Sequence, residues 1–563
     1  MKKVRIIIVI LCFSNILIAQ TPVLDWTYKI GASSWDLGWS TTIDNSGNIY
    51  FTGEFSDTVD FDPGIGVENL ISAGSTDCFL QKVNSEGNLI WAKRIGGTTS
   101  DGAQAVTTDN QGNVYVTGYF SGTVYFDISN SNSMLIAVGI FDGFILKLDS
   151  NGSFIWVKHI AASNASKGWG ISIDILGNVC TVGCFDGIAD FDPGAGIMNL
   201  TCSYPYADVF VQKLDSNGVF LWAIQNSVRD MYNEVAINTD INGNIIITGY
   251  FRETVDFDPG PGVYDITAFW ADDIFIQKLD TAGGLVWVKH MGNDGGEFGT
   301  AVTSDPYGNV VSTGYFGGLI DFDPGPGIFN LVSNGGKDIY VQKLSSNGSL
   351  LWVKQIGGYL DDMSRSITMD NEGNLYITGG FSGTVDFDPG IGVASINSAG
   401  GYDIYILKLD SLGEFVWVVQ MGGTEDQYGY SIDTDNNGNV YSTGFFAGIV
   451  DFDPGTGVHN LSCDGIWDVF ALKLSQSTGT YVKENDFNSL SVFPNPTVGS
   501  VNIDLRRFKD VDIEISSING GIVYSKYGVK EQILNVELNV SPGVYFIRLS
   551  SNKYHQINKI IVK

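Results

Sequence analysis

Histidine, cysteine and basic residues are all scarce in this chain. Of 563 residues, four are histidine, six are cysteine and 31 are lysine or arginine, against 62 aspartate or glutamate. The histidines, His159, His290, His459 and His555, are widely separated. No metalloprotease helix, phosphate loop or Gly-x-Ser-x-Gly elbow occurs, which removes the catalytic chemistries those motifs announce. His159 and His290 share one repeat slot with Arg94, Gln225, Gln355 and Gln420, a mixture read as surface. Cys12 lies in the leader, and Cys78, Cys180, Cys184, Cys202 and Cys463 remain, an odd number with no disulfide framework. Their pairing stays open. The formal net charge of −31 repels nucleic acid and anionic lipid and favours cations such as Ca²⁺.

Long apolar runs are also missing, except at the amino terminus. Lys2, Lys3 and Arg5 precede the apolar stretch Ile6 to Ile18, and Ala19 stands at a cleavage edge. Residues 1–19 are therefore read as a secretory signal peptide. No transmembrane span is expected in the mature chain.

What the chain has in plenty is repetition. Asp-Phe-Asp opens at Asp60, Asp190, Asp256, Asp321, Asp386 and Asp451, and Tyr125-Phe126-Asp127 fills the gap, giving seven copies at steps of 65 or 66 residues. Such a period marks a module that cannot bury its apolar faces alone. Within a unit, Ser366-Ile367-Thr368-Met369 runs into the turn Asp370-Asn371-Glu372-Gly373-Asn374, and Leu375-Tyr376-Ile377-Thr378-Gly379 follows. Asp bonding its own backbone and Gly at positive φ make this hairpin chemistry. A third strand reads Asp-x-aromatic-x-x-Lys, as in Asp403 to Lys408, and a fourth carries Trp91, Trp156, Trp222, Trp287, Trp352 or Trp417. Four antiparallel strands repeated in this way make a β-propeller blade. The first tryptophan strand, around Trp26, precedes the first unit, and the last unit lacks one. The chain is thus predicted to be all-β: a seven-bladed β-propeller over residues 24–475, closed by the N-terminal strand, because an open array would leave unpaired edges.

The units resemble the SBBP-type β-propeller repeats of bacterial secreted proteins. The matching residues are Gly-Asn-x-Tyr-x-Thr-Gly, at Gly112 to Gly118, Gly373 to Gly379 and Gly438 to Gly444, together with Asp-x-Phe-x-x-Lys-Leu. The resemblance implies a fold and no defined activity.

Candidate chemistry sits in the long connections. Alternation puts the two carboxylates of each Asp-Phe-Asp on one side and the phenylalanine on the other. Asp60 with Asp62, Asp190 with Asp192, Asp256 with Asp258, Asp321 with Asp323, Asp386 with Asp388, and Asp451 with Asp453 are the candidate Ca²⁺ ligands, since calcium wants several oxygens. The competing reading is an Asp-Pro-Gly turn whose acids cap backbone N–H groups. Asp101, Asp230, Asp294, Glu297, Asp361, Asp362, Glu425 and Asp426 lie in the other long loops and predict a strongly acidic face. The third-strand lysines predict pairing with a recurrent aspartate. The tryptophans predict packing between blades.

Residues 476–488 read as a linker, and residues 489–563 change character. Val492-Phe493-Pro494-Asn495-Pro496-Thr497, Ile518-Asn519-Gly520-Gly521, Pro542-Gly543-Val544-Tyr545 and the basic end Lys559-Ile560-Ile561-Val562-Lys563 are similar to the C-terminal sorting domain of the Bacteroidetes type IX secretion system. That implies a small Ig-like β-sandwich, contact with the secretion machinery through residues 489–563, and a secreted or outer-surface location. The function expected is a non-enzymatic binding or adhesion propeller for an extracellular glycan or protein. A polysaccharide hydrolase or lyase, with Arg229, Arg252 and Arg365 as the cations that break the repeat, and a structural matrix spacer are the rivals.

Overall fold

The computed structural model describes residues 21–127, 133–202, 207–228, 235–269, 271–293, 295–476, 491–493, 497, 499–505, 511–517, 521–550 and 555–563. Residues 1–20, read above as holding the signal peptide, together with Arg229, Asp230, Asp294 and all but the first residue of the 476–488 linker, lie outside these residues. Among the described residues every regular element is a β-strand, and no helix is long and apolar enough to cross a membrane. The chain divides into two compact units, Met1–Ser477 and Thr478–Lys563.

Among the described residues of the first unit, seven antiparallel runs of four strands follow one another. The sixth shows the pattern: inner strand Asp362–Met369, then Leu375–Phe381, Asp403–Leu409 and the outer strand Phe415–Met421. The tight turn between the first two strands is built as its residues dictate. In the first sheet, Asp44 Oδ1 accepts the N–H groups of Ser46 and Asn48, both at 2.9 Å, and Gly47 adopts a φ of 78°, which a side chain would resist. The third strand is buried on both faces, as in Asp77–Val83, because a neighbouring sheet covers each side. The last run starts from Tyr428–Thr434, passes through Val440–Phe446 and Asp468–Ser475, and takes Val23–Ile30 as its outer strand. Tyr28 pairs there with Ala471 and Ile30 with Val469. Inner strands of the first and last sheets also meet: Ser431 Oγ accepts the N–H of Thr41 at 3.0 Å, and Asp433 accepts that of Ile43 at 3.2 Å.

Neighbouring sheets are joined at the tight-turn end by lysine and tryptophan. Lys278 Nζ lies 2.8 Å from Asp240 of its own sheet and donates to the Gly308 carbonyl of the next. Lys213 does the same with Asp174 at 2.9 Å and the Thr281 carbonyl. Burial alone would raise the Asp174 and Asp240 carboxyls, but lysine and asparagine donors hold both below the usual carboxylate range. Trp222 and Trp287 donate to the Thr281 and Ser346 carbonyls of the following sheet, and their rings lie against the turn glycines Gly283 and Gly348.

The Asp-Phe-Asp segment forms a small hairpin between the second and third strands, as in Thr384–Asp386 with Ser395–Asn397. Its phenylalanine is fully buried, Phe387 packing on Phe381 and Tyr405. The hairpin pairs with the outer strand of the preceding sheet: Gly357 with Asp386, and Ala161 with Asp190. It is a clip between successive sheets.

The second unit has a three-stranded sheet, Ser491–Phe493, Ser500–Asp504 and Ile533–Glu537, and a four-stranded one, Val511–Ser517, Ile522–Val529, Gly543–Ser550 and His555–Val562. Val501 and Ile503 of one and Ile513, Ile515, Ile547 and Leu549 of the other share a single core. Alternation of Val511, Ile513 and Ile515 with polar neighbours supplies that face.

Candidate functional site

The twelve candidate aspartates close their own loops. The first of each pair accepts two backbone N–H groups. Asp60 Oδ1 takes those of Asp62 at 3.0 Å and Glu68 at 2.8 Å, and Asp386 Oδ1 takes those of Asp388 and Ala394. Asp190, Asp256, Asp321 and Asp451 repeat the arrangement. The second of each pair, Asp62, Asp192, Asp258, Asp323, Asp388 or Asp453, accepts the N–H of the glycine two residues on. These are Asx turns. Among the described residues, no group of three or more His, Cys, Asp or Glu side chains is placed to hold a metal ion.

The expected acidic face is reduced from within. Asp101, Glu297 and Asp362 are fully buried rather than displayed. Asp362 accepts the N–H groups of Gly358 at 2.7 Å and Ser382 at 3.1 Å, and Asp101 those of Gly97 and Ser121. A carboxylate that satisfies a loop backbone has a reason to leave the surface. Burial pushes Asp101 up to about 6 and Asp362 up to about 7, although those same hydrogen bonds pull the other way. The slot of His159 and His290 is not a surface slot either. Each places Nε2 on the buried aspartate that opens the third strand, His159 on Asp142 at 2.6 Å and His290 on Asp273 at 2.5 Å, as Arg94 does on Asp77. Among the described residues none of Cys78, Cys180, Cys184, Cys202 and Cys463 is joined in a disulfide.

The residues that differ from sheet to sheet gather elsewhere. A cavity of about 320 Å³ is lined by the inner strands of all seven sheets. Five positions before each turn aspartate stand Trp39, Gln104, Trp169, Val235, Thr300, Arg365 and Tyr430, and all seven line the cavity. Six of them fall at a β-bulge: the ladder jumps from Gly38 to Ser40, Ala103 to Ala105, Gly168 to Gly170, Gly299 to Ala301, Ser364 to Ser366 and Gly429 to Ser431. A bulge adds an unpaired residue and re-aims its side chain. The glycine that ends the repeat signature permits it. A Cβ on Gly379 would lie 2.0 Å from the Met363 carbonyl oxygen, and one on Gly444 would lie 1.9 Å from that of Tyr428.

Toward the long-loop end of the inner strands, aromatic rings gather. Trp39 lies 4.7 Å from Tyr430, and Arg365 stands 5.6 Å over Tyr430. Lys167 lies 3.7 Å over Trp169 and 4.7 Å over Tyr119. Lys337 caps Phe298 at 4.8 Å and Tyr315 at 5.0 Å. Glu54 accepts from Trp39 Nε1 at 3.1 Å and the Tyr119 hydroxyl at 3.0 Å. Gln104 is only 5 % exposed, yet among the described residues neither of its amide atoms has a hydrogen-bond partner, and Trp169 Nε1 has none. Asp433 is the one carboxylate among the described lining residues; burial pushes it up to about 6 against donors that include the Ile43 N–H and the Thr368 hydroxyl. Arg365 had stood out in the sequence as an aperiodic cation. Arg252, its companion, pairs with Asp272. The aromatic and amide members of this register were missed, though variation at one fixed position of a regular repeat was a signal for them.

Comparison with known proteins bears on both units. Residues 351–379 and 416–444 match the family described as Beta-propeller repeat, and residues 491–563 match the secretion system C-terminal sorting domain. The chain carries β-propeller repeats and a type IX sorting domain. The sorting domain marks it for export as a secreted or cell-surface protein and implies interaction with the secretion machinery. An uncharacterized WD repeat-containing protein of Acanthamoeba polyphaga mimivirus is 23% identical over 508 residues, covering 75% of this chain and 36% of its own length. The chain thus spans about a third of that curated relative. Among solved structures, Sqt1 from Chaetomium thermophilum has a TM-score of 0.37 at 10% identity, covering 80% of this chain and 99% of that one. Puromycin hydrolase has a TM-score of 0.33 at 9% identity, covering 74% and 59%.

Proposed function

We propose that the repeats form a closed seven-bladed propeller, and that it works at the cell surface or beyond as a non-enzymatic binding module whose recognition surface is the long-loop mouth of the shared cavity. The observation that carries this reading is the bulged register: a frame that repeats nearly residue for residue varies where it faces the cavity. Closure is supported by the pairing of Val23–Ile30 with Asp468–Ser475 and by the hydrogen bonds from the first inner strand to the last. A binding rather than a hydrolytic role is supported by the described part of the lining, which holds the single carboxylate Asp433, whereas glycoside hydrolysis generally uses two. The ligand class is an extracellular glycan or protein. Calcium on the six paired-aspartate loops is a subsidiary proposal, supported by the recurrence of the pair. A glycan array with the mature chain, run beside a polysaccharide depolymerisation assay, tests the main reading. Binding with polymer length unchanged supports it, and shortening of the polymer overturns it in favour of a hydrolase or lyase.

A further inference from the structure

Gln104 is the odd member of the bulged register. Trp39 of the first sheet donates from Nε1 to Glu54, and Thr300 of the fifth donates to the Thr313 carbonyl at 3.3 Å. Gln104, on the second sheet, is buried and lines the cavity, yet among the described residues its amide nitrogen and its carbonyl oxygen both lack a partner. The strand that carries it, Gly102–Thr108, packs between Leu37–Ile43 and Ala165–Ile173. Each of those neighbours brings one more unpartnered polar atom to the lining: Thr41 Oγ1, on a side chain that is buried, and Trp169 Nε1. Buried polar groups in native proteins are as a rule hydrogen-bonded, and one left unmet costs stability. Three such side chains on three adjacent inner strands therefore call for a common partner.

The set selects a ligand class by what it rejects. It offers the N–H₂ and carbonyl of Gln104, the N–H of Trp169 and the hydroxyl of Thr41. A carboxylate, sulfate or phosphate group only accepts, and leaves the Gln104 carbonyl unmet. An ammonium group only donates, and leaves the N–H groups unmet. A single peptide amide has one donor and one acceptor, enough for the carboxamide but not for Thr41 and Trp169 as well. A sugar hydroxyl donates and accepts at once, and two on neighbouring carbons supply two of each. The rest of the described lining is of the same kind, with Ser40, Asn238, Thr303, Ser366 and Ser431 neutral and hydrogen-bonding. Its two charged members, Arg365 and Asp433, are one of each sign.

Indole rings stand on either side of Gln104 in sheet order, Trp39 before it and Trp169 after it. Both are partly taken up, Trp39 by Tyr430 and Trp169 by Lys167, so hydrogen bonds rather than stacking carry the specificity. The cavity is at the small end of the ligand pockets of about 300–1,000 Å³, enough for one or two sugar units. From this we infer that the cavity binds one or two units of a neutral saccharide, with adjacent hydroxyls bonded to Gln104, Thr41 and Trp169 Nε1. The inference rests on the binding-module reading above and narrows it to a ligand class and a set of contacts.

The test titrates the mature full-length chain by calorimetry with cellotriose, maltotriose, mannotriose and galactotriose, beside trigalacturonic acid and the peptide Gly-Asn-Gly. At least one neutral trisaccharide binds about tenfold or more tightly than the acid and the peptide, and its affinity holds from about 50 to about 500 mM salt. Gln104→Met keeps the length of the side chain and removes both unmet groups. It lowers that affinity about tenfold and leaves the melting temperature unchanged or higher, which a glutamine with a purely structural role would not do. Thr41→Val and Trp169→Phe keep shape, so they stay folded, and each lowers the affinity about threefold or more. No binding of any neutral trisaccharide, tighter binding of the acid or the peptide, or a Gln104→Met variant that binds as before overturns the inference. A lower melting temperature for Gln104→Met overturns it as well. Trisaccharide binding that survives Gln104→Met but falls with Ile391→Ser at an exposed loop tip overturns it too, while the binding-module reading stands. Shortening of the trisaccharides overturns both.

Discussion

The two ends of the inner strands follow different rules. At the tight-turn end each sheet repeats its neighbour: aspartate in the turn, lysine from the third strand reaching it and the next sheet, tryptophan on the next turn glycine. At the long-loop end the equivalent register reads Trp39, Gln104, Trp169, Val235, Thr300, Arg365 and Tyr430. The backbone is the same at both ends, and so is the period. The difference lies in what each side chain must satisfy. At one end it must satisfy another sheet, which is identical to the last, so the answer is identical. At the other it faces a cavity, where the frame imposes no single choice.

Several experiments would sharpen this contrast, beginning with the frame. Deleting residues 21–30 removes Trp26, Tyr28 and Ile30 from the cores they fill and leaves Asp468–Ser475 as an open edge; the expected loss is about 5 kcal/mol or more, read as early melting and aggregation. An unchanged melting curve would break the frame argument outright. Lys278→Met leaves Asp240 buried without its cation, and denaturant unfolding should show a loss of about 3 kcal/mol, part of which Asp240→Asn restores in the double variant. Gly379→Ala forces a Cβ against the Met363 carbonyl oxygen and should cost about 2 kcal/mol through overpacking of the bulge. Asp386→Asn loosens one loop by about 1 kcal/mol, since a neutral oxygen replaces a charged acceptor of two N–H groups. If EDTA lowers the melting temperature of the parent but not of a variant lacking all six leading aspartates, the calcium proposal gains its support; an equal response removes it.

Acid sensitivity separates the same two ends. Asp36, Asp101 and Asp362, near the long loops, have folded values raised by burial to about 6, 6 and 7. Their contribution is fully present below the unfolded value near 3.8 and is lost as pH climbs through about 6 to 7. Asp174, Asp240 and Asp305, at the tight turns, have lowered values despite burial, and theirs is present above that unfolded value and lost as pH falls through the folded one. Stability should therefore peak at mildly acid pH. Hydrogen exchange would show long-loop amides such as those of Gly358 and Ser382 less protected above about pH 7, and turn amides such as that of Asn244 less protected below about pH 4.

Recurrence made much of this legible in the sequence. The four strands of each unit, the buried phenylalanine of Asp-Phe-Asp, the lysine–aspartate pairing and the tryptophan packing all follow from the same residue meeting the same need in each copy. Two things did not show. Asp101 and Asp362 look like surface acids in a loop, because a carboxylate that turns inward to bond N–H groups has the same letter as one in water. The bulge is hidden for a different reason: alternation assigns a face by counting residues in twos, and one extra residue shifts the count, so Trp39 or Tyr430 cannot be placed from its neighbours.

The glycine opposite each bulge has an evolutionary consequence. A residue outside the hydrogen-bonded ladder can be exchanged by single codon changes without renegotiating the backbone pairing of its sheet. Six such positions line one cavity, so a lineage could explore new binding preferences as one resets the wheels of a combination lock, with the casing left untouched.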